Sequence, residues 1–307
     1  MITAGRFAKR APGWSGVRVR PDAVAAWCFL LPTLLLLLLV AVYPLLYSFF
    51  LSMTNAQVSG PVLFIGLQNF VRLLHTAIFT LTLSNTLWYT LGAVTIKLVL
   101  GLALALVLSQ QVPGMRWIRG AVLIPWVVPT SMAMLAWTWM FDSTYSVVNW
   151  VLMHLRVVSE PIAWLGTPRL ARFAVTLVNV WSGLPFFGIN FLAGLVSIPQ
   201  ELYEAATVDG AGPFVRFRQV TLPLLRPVLA TVVLFSVVMT SSDFATIFIL
   251  TKGGPQNMTQ ILSTLAFKLG LATGDLGNAA AISLYLFPVL AVSTYAQVRL
   301  MRRVWQW

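Results

Sequence analysis

The chain has 307 residues, of which 59% are hydrophobic and only 9% are charged. Because soluble domains carry about 25% charged residues, this composition excludes an ordinary soluble enzyme, a disordered chain and a fibrous protein, and it predicts an integral membrane protein. The formal net charge of +12 is spread between apolar segments, which favours topology-setting loops over a nucleic-acid-binding face.

Six apolar segments are each long enough to cross a hydrocarbon core of roughly 30 Å. The first is too long for the apolar region of a signal peptide, so we expect it to be retained. The sequence therefore predicts an all-α integral membrane bundle of six transmembrane helices. A basic segment (1–22) precedes a membrane domain (23–307). The predicted spans lie near 23–51, 83–109, 119–141, 171–195, 223–250 and 276–300.

The distribution of Lys and Arg predicts the orientation of these helices. If the N-terminus is cytoplasmic, the inside segments hold 13 cations and the outside segments hold six, with Lys97 inside a span. Cytoplasmic loops carry the excess of positive charge, so both termini and the basic segment (1–22) are expected in the cytoplasm. The longest inside loop then covers 196–222.

This inside loop (196–222) has the pattern of two short helices. Gln200 to Val208 is predicted to be helical, Asp209-Gly210 to end that helix, and Pro213 to begin the second. A helix lying on lipid is the alternative, but such helices usually carry Lys and Arg on the polar face. The first helix is acidic, with Glu204 on its surface, which favours docking to a partner protein.

The sequence of this loop contains Glu204-Ala205-Ala206 and Asp209-Gly210-Ala211, followed by Phe217 and Leu222-Pro223. It resembles the EAA loop of binding-protein-dependent ABC importers. Matches along most of the chain resemble the carbohydrate-uptake permeases of the maltose-transporter class, in particular the first permease of the pair. They lie at Phe64–Phe70, Asn85-Thr86, Arg119–Pro125, Trp181–Pro185 and Leu250–Pro255.

The resemblance implies a type I ABC importer permease in a bacterial or archaeal cytoplasmic membrane. Its expected partners are a second permease in a heterodimer, two copies of an ATPase subunit and an extracytoplasmic sugar-binding protein. The chain has no Gly-Lys dipeptide, and hence no Walker A lysine in its usual context. It is therefore expected to be a transport subunit and not an enzyme, with no cofactor of its own and with ATP and Mg²⁺ on the ATPase. The implied ATPase-coupling residues are Glu204, Ala205, Ala206, Asp209 and Gly210.

A candidate sugar site comes from two spans. Ser236, Thr240 and Asp243 follow helical spacing on the fifth span, so they share one face. Hydroxyl, amide and carboxylate groups suit sugar hydroxyls, and an aromatic ring supplies an apolar surface. The resemblance implies sugar contacts at Ser182, Gly183, Phe186, Ser236, Met239, Thr240 and Asp243, and the helical pattern adds Asn190. Hydroxyl and acidic groups here replace amides of the maltose-type site, so we expect the sugar to be bound differently.

Several alternatives stay open at the level of sequence. Ser and Thr in spans often bond their own carbonyls, and Lys97 is expected to pair with Asp243, with a neighbour or with carbonyls. Asp243 itself disfavours an anionic substrate and so favours a neutral sugar. The substrate alternatives are a polyol or glycerol phosphate, and the alternative functions are a secondary transporter, a channel or a membrane enzyme. One Cys and two His predict no metal site.

Overall fold

The structure is a computed structural model and describes residues 21–304. Within that range the fold is helical, with two isolated β-bridges and no strand, which confirms the predicted all-α class. The basic segment predicted over 1–22 lies outside the described residues except for its last two positions, which already belong to the first helix. The orientation of the termini therefore stays a prediction.

The chain divides into two compact units at Ser48. The first contains α1 (Pro21–Leu37), a π-helical turn (Leu38–Val42) and the beginning of α2 (Tyr43–Ser52). An apolar stretch of 27 residues, Ala26–Ser52, is long enough to cross a membrane. Its position agrees with the first predicted span.

The second unit begins at Phe49 and holds the remaining helices. They are α3 (Gln68–Leu74), α4 (Ala77–Leu108), α5 (Met115–Val122), α6 (Ile124–Val127), α7 (Thr130–Met140), α8 (Val147–His154), α9 (Pro168–Val196), α10 (Gln200–Val208), α11 (Pro213–Arg216), α12 (Leu222–Ser241), α13 (Phe244–Leu250), α14 (Leu262–Phe267) and α15 (Leu276–Val304). Two further π-helical turns occupy Phe217–Thr221 and Lys268–Ala272.

Five helices of the described range are long and apolar enough to span a membrane, and a bent pair makes the sixth. The pair consists of Met115–Val127 and Thr130–Met140, which meet at an angle of 90°. The bend falls at Val128-Pro129, where Val128 is extended, as expected for a residue before proline. The six predicted segments are thus confirmed in position, and the third is an elbow instead of a straight rod.

The fifth predicted span, 223–250, was expected to be one helix, and this was wrong in detail. The spanning helix runs over Pro213–Ser241, and a separate helix, α13, follows it. Asp243 separates the two, because its carboxylate accepts a hydrogen bond of 3.2 Å from the backbone N–H of Thr246. A side-chain oxygen in this position caps a helix N-terminus, so the break is built into the local sequence.

Glycines bring α4 and α9 unusually close together. A Cβ added at Gly101 of α4 would lie 2.4 Å from the Cβ of Phe187 on α9, and one added at Gly188 of α9 would lie 2.7 Å from Leu104 Cδ2 on α4. Small residues at such contacts allow the backbones of membrane helices to approach. The α4–α9 pair, with α12 packed against both, forms the frame on which the candidate site is built.

Candidate functional site

A cavity of about 340 Å³ opens beside the α4–α9 pair, between α9, α12 and the elbow of the third span. It contains most of the residues predicted from the sequence to contact substrate. The predicted residues that line it are Ser182, Gly183, Phe186, Ser236, Met239, Thr240 and Asp243. The remaining one, Asn190, is not part of the lining, and its side-chain amide donates to the Phe186 carbonyl of its own helix at 2.7 Å.

One wall of the cavity is a connected set of polar side chains. The ammonium group of Lys97 donates to Asn179 Oδ1 and to Thr240 Oγ1, each at 2.9 Å. Asn179 Nδ2 in turn donates to Asp243 Oδ2 at 2.7 Å, and the Tyr89 hydroxyl donates to the same oxygen at 2.7 Å. Lys97 and Asp243 are therefore joined through the amide of Asn179 and not by direct contact.

Three helices place these groups. Lys97 lies on α4, Asn179 on α9 and Thr240 on α12, and Lys97 and Thr240 are only 3% and 1% exposed. Gly183 makes room for the lysine, because a Cβ at that position would lie 2.8 Å from Lys97 Cδ. The predicted substrate residue Gly183 thus has a packing role in the structure.

The opposite wall is aromatic. The ring centroids of Trp126 and Phe186 are 6.2 Å apart, and those of Phe186 and Phe235 are 5.2 Å apart. All three residues border the cavity. Trp126 belongs to α6, within the elbow of the third span, and is 59% exposed. The cavity therefore offers a ligand one apolar face and one hydrogen-bonding face.

The hydroxyl groups of the site differ in how many hydrogen bonds they already form with other protein groups. The Ser182 hydroxyl donates to the Asn179 carbonyl at 3.2 Å, which is a bond within its own helix. Thr240 accepts from Lys97, and Ser236, 4% exposed, makes no hydrogen bond within residues 21–304. The Thr240 and Ser236 hydroxyl protons are thus free for a ligand.

Sequence reasoning missed Asn179 and Tyr89 as members of the site. The available signal for Asn179 was an amide inside an apolar span, which is costly in a membrane unless it is hydrogen-bonded. Tyr89 has the sequence position of an interfacial aromatic residue near the end of a span, but it is 7% exposed and bound to Asp243. Trp126, an aromatic residue within a predicted span, also lines the cavity.

The 196–222 loop has the predicted helical hairpin. Helix α10 covers the predicted residues 200–208, and Gly210 has φ +80°. The Ala211 N–H donates to the Ala206 carbonyl at 2.9 Å, and the Gly210 N–H donates to the Thr207 carbonyl at 3.0 Å. This pair of bonds is a Schellman termination, for which glycine is the preferred residue at the left-handed position.

The outer surface of this hairpin combines charge with exposed apolar side chains. Glu204, Ala205 and Asp209 are exposed and Ala206 is partly buried. Val208 and Phe214 are 88% and 74% exposed. Large apolar side chains exposed beside a carboxylate are typical of a protein–protein contact surface.

One side-chain bond braces the hairpin internally, and a second ties it to the fifth span. Arg216 Nη1 donates to the Thr207 hydroxyl at 3.0 Å, and the Tyr203 and Thr221 hydroxyls lie 3.0 Å apart. The first bond links α10 to α11, and the second links α10 to the start of the fifth span. Elsewhere in residues 21–304, no group of three His, Cys, Asp or Glu side chains is placed to hold a metal ion.

The chain is similar to known transport proteins along most of its length. Residues 97–306 match the family described as the binding-protein-dependent transport system inner membrane component. The trehalose/maltose transport system permease protein MalF of Thermococcus litoralis is 36% identical over 282 residues, which cover 92% of this chain and 95% of that protein. The sulfoquinovosyl glycerol transport system permease protein SmoG of Agrobacterium fabrum is 36% identical and covers 96% of each chain.

A solved structure shares the fold at lower sequence identity. The crystal structure of a bacterial ABC transporter involved in the import of alginate superposes with a TM-score of 0.78 at 23% identity, covering 92% of this chain and 96% of that one. The chain therefore belongs to the binding-protein-dependent transport system inner membrane components: it is a multi-pass inner-membrane permease subunit of an ABC importer, a transport protein whose ATP is hydrolysed on separate ATPase subunits.

Proposed function

We propose that this permease forms half of the translocation pathway of a sugar importer, and that the cavity beside α9 is its sugar site. The observation that carries the proposal is the pairing of an aromatic wall with a polar wall. Sugars have the same two-sided character, with C–H faces and a rim of hydroxyl groups. Permeases at 36% identity that are named for the transport of trehalose/maltose and of sulfoquinovosyl glycerol support this assignment.

Each wall has a separate task in the proposed site. Trp126, Phe186 and Phe235 present ring faces on which a pyranose packs, since aromatic rings supply a large apolar contact area. Ser236 and Thr240 provide hydroxyl groups whose protons have no acceptor in the described part of the chain. Ligand sites of this kind bind mostly through apolar contacts and use a few polar groups to set orientation.

The proposed partners follow from the 196–222 loop. We place this loop in the cytoplasm, docked on one of two copies of an ATPase subunit that carries ATP and Mg²⁺. Glu204, Ala205, Ala206, Asp209 and Gly210 form the contact, and Glu204 pairs with a basic residue of the ATPase. A second permease completes the cavity, and an extracytoplasmic binding protein delivers the sugar.

Transport would then proceed by alternating access. Closure of the ATPase dimer moves the docked hairpin, and the spanning helices turn the cavity outward to receive sugar. Hydrolysis returns it inward. A ligand shifts such an equilibrium only by its different affinity for the two states, and ATP and the liganded binding protein supply that difference.

The coupling assignment is tested by charge reversal on α10. We expect Glu204→Lys to reduce co-purification of the ATPase subunit by at least about tenfold, because it places like charges in a desolvated contact. The matched control is Glu201→Lys, an exposed glutamate at the start of the same helix, which should retain wild-type assembly. Wild-type uptake by the Glu204→Lys importer would overturn the assignment.

The sugar assignment is tested with the assembled importer in proteoliposomes. We expect ATP-dependent uptake of a labelled disaccharide such as trehalose or maltose, delivered by the co-purifying binding protein. Glycerol and sorbitol serve as polyol controls. Uptake of a polyol without uptake of any sugar would refute the sugar site, and uptake that continues without ATP would favour a secondary transporter.

A further inference from the structure

Lys97 is a buried cation that has no carboxylate in direct contact. Its side chain is 3% exposed, and both of its hydrogen bonds go to neutral groups, the Asn179 amide oxygen and the Thr240 hydroxyl. Within residues 21–304 no carboxylate bonds it directly: Asp243 is joined to it through the Asn179 amide, although the charge of Asp243 does act on the lysine. Because a charge inside a membrane span is a functional candidate, a buried ammonium group without direct carboxylate contact on a cavity wall calls for an explanation.

The hydrogen-bonding capacity of this ammonium group is also incomplete. A lysine ammonium group has three donors, and two are used here. Phe187 lies 5.8 Å below it, measured from Nζ to the ring centroid, which places an aromatic face at cation–π distance. Lys97 borders the cavity, so an acceptor that completes its coordination would come from the ligand.

The cavity contains one carboxylate, and the protein already uses it. Asp243 Oδ2 accepts from Tyr89 and from Asn179, and Oδ1 accepts from the Thr246 backbone N–H. Hydrogen bonds to a carboxylate stabilise its charge where it stands. Asp243 thus helps to fix the break before α13 and has little capacity left for a ligand.

The groups left open in the polar wall are therefore donors. They are the third N–H of Lys97 and the hydroxyl protons of Thr240 and Ser236. Open donors, one of them on a cation, suit a ligand that brings acceptor oxygens and a negative charge. The expectation of a neutral sugar depended on Asp243 facing the substrate, but protein donors occupy both of its carboxylate oxygens, whereas Lys97 keeps one N–H open to the cavity.

We infer that Lys97 is a substrate-binding and specificity-determining residue, and that the cavity accepts an acidic sugar whose carboxylate or equivalent anionic group binds the Lys97 ammonium. This inference rests on the proposed sugar site and names the substrate class for it. The anionic group accepts a hydrogen bond from the third N–H of Lys97, which no group in the described part of the chain uses. The aromatic wall packs against the sugar ring, and the free hydroxyl groups bind its remaining oxygens.

The test compares two sugars that differ in one group. Trehalose and its mono-uronate, in which one CH₂OH is oxidised to a carboxylate, are titrated calorimetrically into the purified membrane complex after the soluble binding protein has been washed away. We expect the uronate to bind the wild-type complex at least about tenfold more tightly, because hydrogen bonds to charged groups are the strong ones.

Variants then assign the preference to Lys97. Lys97→Met keeps the length of the side chain but removes the charge, and we expect the ratio of the two affinities to fall to about one. The matched control is Lys268→Met, an exposed lysine of the same chain, which should keep the wild-type ratio. Co-purification of the partner subunits shows whether each variant is assembled.

The outcomes separate this inference from the sugar proposal. Tighter binding of neutral trehalose by the wild-type complex would overturn the acidic-sugar inference and leave the sugar site standing, whether or not Lys97→Met assembles. An unchanged ratio in an assembled Lys97→Met complex would remove Lys97 from the site. Binding of neither sugar, together with polyol uptake by the importer, would overturn both.

Discussion

Gly210 sets the bend between α10 and α11, and its replacement by alanine tests the geometry of the hairpin. Its φ of +80° lies in the left-handed region, and a Cβ placed there would meet no atom within 4 Å. The substitution therefore introduces backbone strain without a steric clash. For a residue with a Cβ this strain costs roughly 1–2 kcal/mol.

The strain should appear as easier opening of the two bonds that end α10. The Ala211 and Gly210 amides donate to carbonyls of the last turn at 2.9 and 3.0 Å. If the strain raises the free energy of the closed hairpin by roughly 1–2 kcal/mol, the opening equilibrium shifts towards the open form by about 5- to 30-fold. Hydrogen exchange of a peptide covering 200–215, followed by mass spectrometry under conditions where exchange reports that equilibrium, measures the change.

Gly212 provides the matched control for this experiment. It is two residues away, its φ is −66°, and a Cβ there also meets no atom within 4 Å. Gly212→Ala should leave exchange unchanged or slow it slightly, because alanine restricts the unfolded chain. Equal exchange in Gly210→Ala and Gly212→Ala would refute the argument that the bend depends on a left-handed residue.

Two further substitutions test the frame and the site. Gly101→Ala should destabilise the protein by about 1–3 kcal/mol, because the new Cβ would lie 2.4 Å from Phe187 Cβ. The loss of stability should appear as a lower Tm in detergent. The control is Gly92→Ala on the same helix, where a Cβ meets nothing within 4 Å, and it should leave Tm unchanged. Asp243→Ala should reduce substrate-stimulated uptake while the subunits still co-purify, and unchanged uptake would remove Asp243 from the site.

The positions of the spans could be predicted because lipid leaves few choices to the backbone. A chain in hydrocarbon must satisfy every N–H and C=O internally, so long apolar stretches become helices. The angle inside the third span could not be predicted. A proline such as Pro129 disturbs a helix without setting the angle, and the 90° bend depends on the packing of α6 against α9 and of α7 against α13.

The break in the fifth span could not be predicted from hydropathy. Apolar residues continue on both sides of Asp243, so hydropathy alone predicts one helix over 223–250. The local signal was an aspartate that caps the next helix through the Thr246 N–H. Hydropathy averaged over a window does not register a cap, which is a property of one side chain and one backbone group.

The candidate site was predictable where it lies on one helix face and not where it joins several helices. Ser236, Thr240 and Asp243 follow from helical spacing, and all three line the cavity. Helical spacing does not relate residues on different spans, so it cannot decide whether Lys97 pairs with Asp243. Asn179 closes that gap from α9, and its role exists only once three helices are assembled.

The glycine contacts between α4 and α9 have a mechanical consequence. Phe187 of α9 fits the space left by Gly101, and Leu104 of α4 fits the space left by Gly188. A slide of one helix along the other would drive these side chains into positions that carry a Cβ. The two helices therefore interlock and move as one unit. A change in cavity shape has to occur at the two breaks in the neighbouring spans, the elbow at Val128-Pro129 and the break at Asp243.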